Sequence, residues 1–189
     1  MQHRISGARF AQSMLYFRSY VLFKGGGMSG IIKSENLRES LSVVWVETFE
    51  RVTGIYLDNG TSLFETLATI SAEEASIPVS STCASLAAQV EHVRFYLDLL
   101  EKVVRGGNPP PADWDHIWNT VREVTDAEWQ ASQDRLRDTY ERITNLLNAF
   151  QDWDDARAIG GAVGMIAHTA YHLGEIRQAL CTLKNRIES

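Results

Sequence analysis

The stretch SSTCASLAAQVEHVRFYLDLLEKVVR, residues 80–105, decides the fold class. Leu86, Val90, Val93, Leu97, Leu100 and Val104 step along it by three and four, the period of one helix face. Ala88, Phe95, Tyr96, Leu99 and Val103 widen the stripe, while Glu91, Arg94, Asp98, Glu101, Lys102 and Arg105 gather on the opposite arc. An apolar arc this broad suits a helix that touches two neighbours at once. The spacing predicts a helix from about Ser80 to Arg105, stopped by Gly106-Gly107. His92 lies within its apolar arc, where a buried imidazole needs hydrogen-bond partners or a metal.

Three further long helices are legible around it. Upstream, Leu37, Leu41, Val44, Trp45, Thr48, Val52 and Ile55 read as the inward face of a helix that starts at Ser34 and runs to the turn signal Asn59-Gly60. Ser62 with Glu65, and Ser71 with Glu74, are capping-box pairs that predict two short helices before Pro78. Downstream, Pro109-Pro110-Pro111 disfavours helix, and a short turn carries Trp114 and Trp118. Thr125 with Glu128 is a third capping box. It opens a helix whose seam is Trp129, Gln133, Leu136, Tyr140, Ile143, Leu147 and Phe150. The last long helix is expected from about Asp155 to Arg186, with Asp152, Asp154 and Asp155 as cap and favourable charge at its start rather than a calcium loop. Nothing alternates as a strand would, so the fold class is all-α, a four-helix bundle. Gly160, Gly161 and Gly164 lack the preceding strand of a dinucleotide fingerprint and read as points of close helix approach.

With 18 basic against 24 acidic residues the net charge is −6, which argues against nucleic acid as the main partner. No apolar run reaches the ~20 residues of a membrane span. Cys83 and Cys181 are far apart and form no C-x-x-C pair, so a reducing, cytoplasmic setting is expected. Cys83, near the start of the second long helix, reads as an inert thiol. Met1–Gly27 differs in character: it holds Arg4, Arg9, Arg18 and Lys24, has no acidic residue, and ends in three glycines. Residues 1–29 are read as a basic extension and 30–189 as the bundle. For the extension two readings stand, an upstream segment from a misassigned start and a basic targeting arm.

His3, in the extension, and His116, in a polar loop, read as surface residues. His168 and His172 are four apart on one helix, so both rings project from one face and can reach a single ion. His92, on a second helix, is the candidate third ligand. Chance pairing and satisfied core histidines are the alternative. The zincin motif is excluded, because Thr169 stands where it needs a glutamate. Three imidazoles without a fourth ligand leave coordination positions open, the pattern of a catalytic rather than a structural ion, with zinc and nickel both suitable. Glu175, three residues past His172, reads either as a group orienting an imidazole or accepting a proton, or as an ordinary salt-bridging residue. Tyr96 and Tyr171 are candidates for the pocket wall, with core packing as the alternative for both.

These residues carry a resemblance. Ser85–Leu97 resembles the second-helix motif of the DinB/YfiT-like superfamily, Trp114, Trp118 and Trp129 its middle section, and HTAYHLGEIRQ, residues 168–178, its fourth-helix motif. The resemblance covers about residues 30–186. It implies an up-down-down-up bundle with a long crossover, a metal triad of His92, His168 and His172 holding zinc or nickel, and often a homodimer. It also implies chemistry on a small-molecule substrate, by relatives that use low-molecular-weight thiols or are described as metal-dependent hydrolases. The expected function is therefore a metal-dependent thiol S-transferase or small-molecule hydrolase in stress or detoxification. A non-catalytic metal- or ligand-binding bundle is the alternative.

Overall fold

A computed structural model describes residues 32–111, 113, 118, 121–151 and 153–187. Among them are six helices and no strand: α1 (Ser34–Phe49), α2 (Leu63–Leu67), α3 (Ala72–Ser76), α4 (Leu86–Val104), α5 (Asp126–Ala149) and α6 (Ala156–Ile187). The expected extension at residues 1–29, together with His3, Trp114, His116 and Asp152, lies outside the described residues.

The three capping boxes form as the sequence predicts, at Ser62, Ser71 and Thr125. Asp155 caps α6 by accepting the Arg157 backbone N–H at 2.8 Å. The four long helices enclose one apolar core in which Trp45, Leu97, Leu136, Ile143, Met165 and Ile176 are essentially inaccessible. Partner residues fix the helix directions. Trp45 donates to Thr144 and packs on Tyr140, and Phe49 also meets Tyr140, so α1 and α5 run in opposite senses. Arg135 reaches Glu91, and Arg142 reaches Asp98 and Glu101, so α4 and α5 run in the same sense.

Two boundaries differ from the sequence expectation. The first long helix ends at Phe49, not near Gly60, and Ile55, expected inward, is 61 % exposed. The cause is Glu47. Its carboxylate is buried and accepts the backbone N–H groups of Thr53, Ile55, Tyr56 and Leu57 together with the Thr53 hydroxyl. Gathering donors from residues 53–57 onto one carboxylate requires the chain to leave the helix and fold back. The second difference is the start of α4, at Leu86 rather than near Ser80. Ser85 is the cap and accepts the Ala88 N–H at 3.2 Å. Cys83 therefore lies in the exposed turn before the helix.

Candidate metal centre

The site is built on the seam between α4 and α6. A Cβ on Gly161 would stand 2.9 Å from Val104 Cγ2, and one on Gly164 would stand 3.2 Å from Leu100 Cδ1. The glycines thus set a close approach of two helices, the role the sequence suggested. Further along, the Tyr96 ring stacks on His168 with centroids 3.5 Å apart, and His92 meets His172 edge-on at 4.7 Å. As α4 advances from 92 to 104, α6 recedes from 172 to 161, so the two helices are antiparallel.

This register joins the three histidines that the sequence singled out. His92 and His172 are buried and His168 is half-buried. Each offers one ring nitrogen, and the three nitrogens lie within 4.8 Å of one another. His92 Nε2 and His168 Nε2 are 3.1 Å apart. Two nitrogens bound to one tetrahedral ion at roughly 2.0–2.1 Å stand about 3.3–3.4 Å apart, so the pair needs almost no adjustment. One N–H···N hydrogen bond would also explain that pair, but it does not account for a third ring turned to the same point.

Electrostatics favour the ligand form. Burial pushes His92 down to about 3, with the nearby His172 charge adding to the effect. Burial likewise takes His168 down to about 2, aided by His172 and His92. Burial also lowers His172, against the opposing pull of Glu175. All three rings are therefore neutral near pH 7, with lone pairs available. The site residues fit a divalent ion in nitrogen number, spacing and protonation.

Around the triad the structure places Glu175, Tyr96, Tyr171 and Trp118. Glu175 Oε2 lies 2.8 Å from His172 Nδ1, a close polar contact with the neutral ring rather than a formed hydrogen bond. Tyr96 lies against His168 as a wall, and burial raises its hydroxyl pKa. Tyr171 is 61 % exposed, so core packing does not describe it. Its ring stands edge-on to His172 at 5.0 Å, and a hydrogen bond to Glu175 holds its hydroxyl pKa up. Trp118 stacks on His92 with centroids 4.4 Å apart, a contact that the sequence did not reveal because the residues around this tryptophan carry no apolar period. The cleft of about 410 Å³ bounded by Asp98, Glu101, Lys102, Arg105 and Arg142 is on the opposite arc of α4 from His92. Its acidic groups are already paired with arginines.

A family model described as the DinB superfamily matches residues 57–176, an interval that contains all three histidines and Glu175. No curated protein and no solved structure matches the chain.

Proposed function

The chain belongs to the DinB superfamily, and from that premise we propose that it is a metal-dependent enzyme acting on small molecules. The reading adopted is transfer of an activated nucleophile, a low-molecular-weight thiol or water, to an electrophilic substrate. The observation that carries it is the convergence of three neutral imidazoles from α4 and α6 with no fourth protein ligand among the described residues. A structural ion is normally closed by four protein ligands, whereas three leave room for a reactant.

The roles follow from placement. His92, His168 and His172 would hold the ion, zinc or nickel. When bound, it supplies Lewis acidity that lowers the pKa of a thiol or water brought to it. Glu175 would orient His172 and, being partly open to solvent, take up the proton that the nucleophile loses. Tyr96 and Trp118 would fix the His168 and His92 ring planes by stacking and keep water from one side.

The test has two stages. Protein purified without a nickel column should carry close to one equivalent of a divalent ion by elemental analysis, and His172→Ala should lose it. Retention of a full equivalent by the variant would place the ion elsewhere. The loaded protein should then consume an electrophilic substrate in the presence of a cellular thiol, or hydrolyse it without one. Absence of both activities would leave a metal-binding bundle without catalysis.

A further inference from the structure

The cleft of about 410 Å³ between α4 and α5 takes no part in the metal centre. Three cations line it, Lys102, Arg105 and Arg142, against two carboxylates, Asp98 and Glu101. Every oxygen of those carboxylates already meets a guanidinium. Arg105 donates twice to Glu101 Oε1, Arg142 donates to Glu101 Oε2 and to Asp98 Oδ1, and Arg94 donates to Asp98 Oδ2. The cations, by contrast, keep donors in reserve. The Nη1 groups of Arg105 and Arg142 take no part in these bonds, and Lys102 has no ion-pair partner among the described residues. A guanidinium carries five N–H donors and an ammonium three, more than the two carboxylates absorb. A surplus of positive charge therefore stands in this cleft, on a chain whose net charge is −6.

Glu101 is buried, and its two oxygens pin Arg105 on one side and Arg142 on the other. Both guanidiniums are thus held in place before any ligand arrives, which lowers the entropy cost of binding one. The carbonyl end of α4 would oppose an anion, but it is closed. The N–H groups of Arg105, Gly106 and Gly107 donate to the carbonyls of Glu101, Val103 and Lys102. Gly106, at φ +80°, supplies the left-handed turn that this closure needs. We propose that the cleft binds a phosphate group, either free or at the end of a small phosphorylated molecule. Donors from three side chains on two helices suit a tetrahedral dianion, whereas one guanidinium fork satisfies a planar carboxylate. The inference does not depend on the metal reading.

Inorganic phosphate, glycerol 3-phosphate and acetate are titrated by calorimetry into the full-length protein at fixed ionic strength and about pH 8, where the phosphate is a dianion. Phosphate should bind saturably at one site. Lys102→Gln should weaken it about tenfold, the loss of one charge-assisted hydrogen bond. Lys102 is exposed, so this variant should melt as wild type does. Arg105→Gln should weaken binding as well, with Glu101 still held by Arg142. His172→Ala should bind phosphate like wild type, which separates the cleft from an ion on the triad. Tighter binding of glycerol 3-phosphate than of phosphate assigns the cleft to a phosphorylated molecule; equal or weaker binding assigns it to free phosphate, and either supports the proposal. Absence of saturable binding, or acetate held as tightly as phosphate, overturns it. So does an affinity unchanged in both Lys102→Gln and Arg105→Gln, which would leave an ion-pair network that only ties α4 to α5.

Discussion

A carboxylate can be buried without a cation if enough N–H groups converge on it, and Glu47 is such a case. Burial pushes its pKa up, but hydrogen bonds from Thr53, Tyr56, Ile55 and Leu57 outweigh that and bring it down to about 2. The sign of the pH effect follows. The folded-state value is below the ordinary 4.5, so the stabilisation is fully present above pH 4.5 and is lost as pH falls through about 2. Glu47→Gln keeps the size but turns one acceptor into a donor facing other donors. It should cost about 2 kcal/mol at neutral pH, the usual penalty for leaving buried polar groups unmatched. In urea melts the gap between wild type and variant should narrow as pH drops from 4.5 toward 2. A gap that stays constant over that range would mean that the carboxylate charge is not what organises residues 53–57. Sequence reading did not find this residue, since an acid at an inward helix position carries no local sign of donors six to ten residues away. The opposite holds for His168 and His172, whose four-residue spacing is itself the sign.

At the scale of elements, the two glycines on α6 at positions 161 and 174 occupy opposite circumstances. Gly161 is buried, and any Cβ there would come within 2.9 Å of the branched, buried Val104. Gly174 is exposed, mid-helix, and a Cβ there meets nothing within 4 Å. Gly174→Ala should therefore stabilise by about 1 kcal/mol, through helix propensity alone. Gly161→Leu should destabilise by about 1–3 kcal/mol through overpacking, and should lower Tm. Thermal melts of the two variants measure this directly; equal shifts would mean that the α4–α6 approach is not set by Gly161. The capping boxes and heptad-like stripes were readable because they are local patterns with a local cause. The α4 start was not, because Ser80, Ser81 and Ser85 are all acceptable caps and only packing selects Ser85. Likewise Arg142 ties α5 to both Asp98 and Glu101 of α4, a pairing that periodicity assigns only to a polar surface.

For the whole molecule, the triad joins residues 92 and 168, which are 76 positions apart and whose rings meet only when α4 and α6 are packed. An ion held there would bind the folded chain far better than the unfolded one, and so would stabilise the fold by mass action. At about a thousandfold excess over Kd the gain is about 4 kcal/mol. For a chain of this size that corresponds to a rise in Tm of about 10 °C. Adding one divalent ion to metal-stripped protein should therefore raise Tm by that order, and a chelator should reverse it. His92→Ala supplies the discriminating case. It leaves His168 and His172 as a pair on one helix, able to bind an ion weakly but no longer able to tie α6 to α4. Most of the ion-dependent rise should vanish in this variant, even if some ion still binds. An undiminished rise would mean that the stabilising ion sits away from the α4–α6 seam, and the three rings would then be a packed cluster inside an ordinary bundle.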